Sequence, residues 1–191
     1  MPTVTSENLQ SFIQDRLNRN QGQTESHDER AKKLAQKNIE WTNNQKKNAQ
    51  LAADALNEHG FKAMTEQPSG NKIDKRFAAY GSSTNGILVN PRSSYWKDPI
   101  ASAKANHESG HLSSDHPLST LLHEVGHTIY EPPHQWMNAQ KEKEIAGQVG
   151  RYAASNPKEF VSEVFAAKHT GKELSPEVMN LYNRYANLIK K

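Results

Sequence analysis

His123-Glu124-Val125-Gly126-His127 lies inside an apolar run of Leu118, Leu121, Leu122, Val125 and Ile129, a spacing that predicts a helix with one buried face. On such a helix the two histidines stand one turn apart on the same side, about 5–6 Å between Cβ atoms, so both imidazoles can reach one metal ion. Glu124 then faces the remaining coordination space, where a carboxylate can take a proton from metal-held water. These residue types at this spacing point to zinc-dependent hydrolysis. The plainer alternative is a pair of hydrogen-bonded core histidines.

Spacing alone decides little, because with nine histidines and fifteen glutamates an HExxH arises by chance in about 3% of such chains. A second copy is present at His107-Glu108-Ser109-Gly110-His111. Its neighbours Lys104, Asn106, Ser113, Ser114 and Asp115 form no apolar stripe, which predicts a solvated loop rather than a second metal site. The downstream copy has helix punctuation: Asp115 as the expected cap, Pro117 in the first turn, and Pro132 and Pro133 as the stop after Tyr130. Gly126 costs that helix about 1 kcal/mol relative to Ala. A residue without a side chain there lets a second backbone come close.

Two imidazoles need a third protein ligand to make a catalytic zinc site. A histidine six residues after His127 is not available, since Pro133 holds that position and His134 comes one residue late. Glu131, Glu142 and Glu144 belong to a charged stretch expected to be the solvated face of another helix. The stronger candidates follow Asn156-Pro157, a helix start, where Phe160, Val161, Val164, Phe165 and Ala167 form an apolar stripe. Glu159 and Glu163 lie one turn apart beside it, which allows one carboxylate on the metal and the other against a ligand histidine. Glu159 also occupies a capping-box position relative to Asn156. Helix physics alone leaves the order of Glu159 and Glu163 open.

HEVGH, followed by a tyrosine seven residues before EFVSE, resembles the gluzincin metallopeptidases of the anthrax lethal factor type and related domains of bacteriophage and bacterial toxin proteins. The resemblance covers about residues 85–170, with Val161 and Ser162 standing where those relatives often have Phe and Ala. It implies His123, His127 and Glu159 as ligands of one Zn2+ per chain and Glu124 as the general base. It further implies Tyr152 facing the tetrahedral intermediate, Glu163 as a carboxylate supporting a ligand, a zincin-like fold and a protein or peptide substrate. Packing by its ring is the simpler role for Tyr152.

Gly86-Ile87-Leu88-Val89-Asn90-Pro91 reads as the best strand, either an edge along which an extended peptide could lie or an interior strand. Phe61, Ala63, Phe77 and Ala79 suggest one or two more. Residues 1–60 read as a polar helical extension, with a short helix over Ser6–Leu17 and a long one over Ser26–Glu58. These helices are expected to pack on the catalytic part or to self-associate, with a partner-binding or pro-segment role as the alternative. Residues 61–191 form the expected catalytic domain, closed by a helix over Pro176–Ile189.

The apolar fraction of 34% and mean hydropathy of −0.92 imply a well-solvated α+β protein, mostly helical, with a small sheet. The absence of cysteine removes disulfides and thiolate ligands. Leu9, Phe12, Ile13 and Leu17 are interleaved with polar residues, so no signal peptide and no membrane span are expected. That reading places the chain in the cytoplasm of the producing cell, with association with a virion or delivery as an effector also open. A net charge of +3 with interspersed signs gives no reason to expect nucleic-acid binding. Two further functions fit the same residues: a catalytically silent, zinc-containing protein-binding module, and a zinc amidohydrolase acting on a non-protein amide. Oligomeric state is not legible in the chain.

Overall fold

The computed structural model describes residues 25–65, 74, 77–82 and 86–187; the helix expected over Ser6–Leu17 lies outside them. The described residues form an α+β structure, mostly helical, with one three-stranded sheet. The long N-terminal helix expected over Ser26–Glu58 is instead two helices, α1 (His27–Gln36) and α2 (Gln45–Glu58). The buried amide of Asn48 explains the break. Its Oδ1 accepts the Thr42 backbone N–H at 2.8 Å, while its Nδ2 donates to the carbonyls of Thr42 and Trp96 at 2.8 and 2.9 Å. Asn44 then caps α2 by accepting from the Lys47 N–H at 3.0 Å.

Strands β1 (Ala63–Met64), β2 (Ala79–Ser82) and β3 (Gly86–Val89) lie in the order β1-β3-β2. The strand singled out in the sequence, β3, is therefore interior, parallel to β1 and antiparallel to β2. In the second pair the Asn90 N–H donates to the Ala78 carbonyl at 2.8 Å. Antiparallel alternation then turns the backbone groups of Tyr80 and Ser82 toward β3 and those of Ala79 and Gly81 toward the opposite edge.

After a 3-10 turn at Ser94–Lys97 the chain enters α3 (Pro99–Glu108), capped by Asp98 with Pro99 at its first position. His107 therefore sits on the last turn of a helix and not in the expected loop. Asp98-Pro99 and the alanines at 101, 103 and 105 supply a helix with only Pro99 and Ala103 buried, too little for an apolar stripe to register.

The HExxH helix is α4 (Ser119–Ile129). Asp115 does not cap it: Leu118 holds the N-cap, and the Leu118 N–H donates to His116 Nδ1 at 3.1 Å. The stop before Glu131-Pro132-Pro133 falls as expected. Beyond it lie α5 (Ala139–Gly147), a 3-10 turn at Ala153–Ser155, α6 (Pro157–His169) and α7 (Pro176–Asn187). One cluster of buried side chains runs from Ala31 and Leu34 through Leu121, Leu122, Phe160 and Phe165 to Tyr185, so α1 and α2 share the core of the later elements. None of the described helices is long and apolar enough to cross a membrane.

Glu142 corrects another expectation, because it is only 2% exposed and not on a solvated face. Its carboxylate accepts from Tyr185 Oη at 2.6 Å, the Asn138 N–H at 3.0 Å and Arg184 at 2.5 Å, pinning α5 to α7. Burial pushes its carboxyl up, but these donors outweigh it and hold the pKa below the ordinary carboxylate value. Glu142→Ala should cost about 2–4 kcal/mol in urea unfolding by stranding those donors. In the wild type this contribution is complete above the unfolded carboxyl pKa and lost as pH falls through the lower folded value, so the gap between the two proteins should narrow in acid.

Candidate metal centre

Two helices supply the centre. His123 and His127 come from successive turns of α4, and Glu159 and Glu163 from successive turns of α6. Gly126 lets the helices meet, because a Cβ there would lie 2.9 Å from the Ser162 Cα. Asn156 accepts the Lys158 and Glu159 N–H groups at 3.0 and 3.1 Å, so the start of α6 is capped by Asn156 while the Glu159 side chain turns toward α4.

His123 Nε2 and His127 Nε2 lie 2.9 Å apart, and Glu159 Oε2 is 3.1 Å from each. Donors arranged tetrahedrally around zinc, with bonds of about 2.05 Å, stand about 3.3 Å from one another, so this triangle fits one face of such a shell. Among the described residues, His123, His127 and Glu159 are the one group able to hold a metal ion.

Each imidazole is aimed from behind. His123 Nδ1 lies 2.7 Å from Glu163 Oε1, and His127 Nδ1 lies 3.0 Å from Ser162 Oγ. Both rings thus present Nε2 to the common point, the arrangement in which an outer partner fixes the tautomer and orientation of a ligand. Glu163, 1% exposed, is itself held, since its Oε2 accepts the Ser113 N–H at 2.6 Å and its carbonyl accepts Ser113 Oγ at 2.8 Å. Of the two carboxylates, only Glu159 reaches both Nε2 atoms.

The electrostatics favour a cation here. Burial disfavours a charged His123, yet the Glu163 and Glu159 carboxylates outweigh it and hold its pKa well above the ordinary value. Burial also pushes Glu159 up, and the two imidazoles overcome this and hold it well below the carboxylate range.

Glu124 stands beside the triangle without belonging to it. Its Oε2 accepts the Gly81 N–H at 2.6 Å, and burial raises its pKa above the ordinary value. Gly81 has to be a glycine, because a Cβ would lie 2.4 Å from the Glu124 carbonyl oxygen. Tyr152 lines a cavity beside the triangle, and its pKa is raised by burial and by the nearby Glu159 carboxylate. That cavity, about 300 Å³, extends from His123 and Glu124 between α3 and the start of β2, past Ala79, Ser102 and Asn106.

The upstream HExxH copy does not form a ligand pair. His107 Nδ1 lies 3.0 Å from the Leu112 carbonyl oxygen, whereas the His111 ring faces Tyr152. His134 is exposed and outside the ligand group. Gly81, Ser113 and Ser162 are at the site without a local signal in the sequence that places them there, save that Ser162 stands where proteins with a similar EFxxE motif often have Ala.

No protein-family model matches the chain, and neither a curated protein nor a solved structure matches it significantly. Glu159→Gln should abolish zinc retention, whereas Glu163→Gln should weaken it about 10–100-fold, read as metal per chain against a graded chelator. The reverse order would interchange the two roles. Gly126→Ala should lower stability by about 1–2 kcal/mol in urea and weaken zinc retention, because the new methyl forces α4 from α6.

Proposed function

We propose that this protein is a zinc-dependent peptidase of zincin-like fold, with His123, His127 and Glu159 holding one Zn2+ per chain. The observation that carries this reading is a carboxylate, Glu124, placed beside a three-donor cluster and taking no part in ligation. A metal kept only for structure has no use for such a group. Bound there, zinc would supply Lewis acidity, lowering the pKa of water to about 7 and polarising a carbonyl.

The chain's own residues account for the rest. Glu124, its pKa raised by burial, accepts the proton of the attacking water and returns it to the departing amine. The Gly81 N–H orients that carboxylate through one oxygen and leaves the other for water. Tyr152, kept protonated well beyond neutral pH, donates its hydroxyl to the developing oxyanion, an interaction worth about 3–4 kcal/mol for one well-placed donor. The edge of β2 turned away from β3 carries the Ala79 backbone groups and the Gly81 carbonyl next to the base, the Gly81 N–H being taken by Glu124, and this favours an extended peptide over a compact non-protein amide.

Glu124→Gln should retain one zinc per chain and lose about 10²–10⁴-fold in hydrolysis of an unfolded protein. Zinc-loaded wild type that cleaves nothing, or a variant as active as wild type, would overturn the peptidase reading in favour of a binding module.

A further inference from the structure

The upstream HExxH copy is left without a metal role, yet it ends against the site. The imidazole of His111 lies 4.7 Å from the Tyr152 ring, centroid to centroid, with the planes tilted by 34°. The His123 ring approaches the same tyrosine at 5.9 Å and 32°. One of these imidazoles is fixed by Glu163 and by its place in the ligand cluster; the other is exposed, so it is not there to fill a core.

The backbone beneath His111 is tied to the segment carrying Tyr152. The Tyr152 N–H donates to the Gly110 carbonyl at 3.2 Å, and the Arg151 guanidinium donates to the Ser109 carbonyl at 2.9 Å. The His111 N–H donates back to the Asn106 carbonyl at 2.8 Å, closing the turn at the end of α3. Two residues on, Ser113 holds Glu163, so one short stretch braces both the tyrosine and the carboxylate behind His123.

We propose that His111 is a positioning residue: its ring stacks on Tyr152 and holds the phenol where its hydroxyl meets the reacting carbonyl. This rests on the peptidase reading of Tyr152. Without the stack the ring turns more freely about its side-chain bonds, and the hydroxyl spends less time in place. A stacked aromatic pair carries an equilibrium weight of about fivefold. The loss belongs in kcat, since the tyrosine acts on charge that develops in the transition state.

The test compares wild type, His111→Ala, His111→Phe, Tyr152→Phe and the double variant His111→Ala/Tyr152→Phe, each loaded with zinc, on an unfolded protein substrate. His111→Ala is expected to lower kcat about fivefold with KM within about twofold and one zinc per chain retained. His111→Phe, which keeps a ring, should recover that loss, and His111→Ala should cost nothing further once the Tyr152 hydroxyl is gone. An undiminished kcat in His111→Ala, a failure of phenylalanine to restore it, or an equal loss in the Tyr152→Phe background would each overturn the proposal. If zinc-loaded wild type hydrolyses nothing, the peptidase reading falls separately, and the contact is judged by the His111 ring protons in nuclear magnetic resonance. They should be shifted upfield in wild type relative to Tyr152→Leu; an identical shift in both overturns the stacking itself.

Discussion

The crossing of α4 and α6 at Gly126 and Ser162 is the contact on which the centre depends. Helix axes ordinarily stay 8–10 Å apart because side chains separate them. Here one side chain is missing and the facing one is a serine, so short reaches suffice: Ser162 Oγ to His127, Glu163 to His123, Glu159 to both. Two consecutive residues of α6 back the two rings, Ser162 behind His127 and Glu163 behind His123, while Glu159, one turn earlier, meets both from the front. Leu121, Leu122 and Val125 on one side and Phe160, Val161, Val164 and Phe165 on the other are fully buried, which keeps the crossing from sliding.

What was readable in the chain, and what was not, divides along the range of the forces involved. Asn156-Pro157 starting α6, the prolines ending α4 and the apolar stripe of each helix are local signals, and each appears where expected. Glu159 and Glu163 could not be ordered from local signals, because the rotation of α6 about its axis, set by packing on α4, decides which carboxylate reaches both imidazoles. Glu142 looked solvated because its neighbours are charged; Tyr185, more than forty residues on, makes it a buried acceptor. Asn48 broke a helix that continuous periodicity predicted, by binding the backbone of Thr42 and Trp96. Asp115 lost the capping position to an arrangement in which His116 takes the Leu118 N–H. Whether residues 86–91 form an edge or an interior strand was likewise open, because the pairing partners decide it: β3 lies between β1 and β2, and β2, holding Gly81, is an edge strand.

The polar groups behind the centre form a connected series. Lys172 Nζ donates to the Ser113 carbonyl at 2.7 Å, Ser113 donates to Glu163, and Glu163 meets His123. The buried Glu163 carboxylate is compensated at one oxygen by the Ser113 N–H and at the other by the close approach of His123 Nδ1 at 2.7 Å. The same economy holds at Glu124, where a backbone N–H of β2 takes one oxygen. Glu163 and Glu124 are thus each oriented by a backbone donor on a separate segment, Ser113 and Gly81, which a change in a single surface side chain would not disturb.

The ligand set has a mechanical side as well. An ion grasped by His127 and Glu159 would bridge positions 32 residues apart, closing a loop that contains α5 and Tyr152. Such a fastener removes freedom from the opened chain and resists separation of α4 from α6, so local breathing of the intervening segment is decoupled from loss of the helix pair. The reactive ion and the clasp of the fold would then be one object, and releasing it would loosen the architecture at the place where the chemistry occurs.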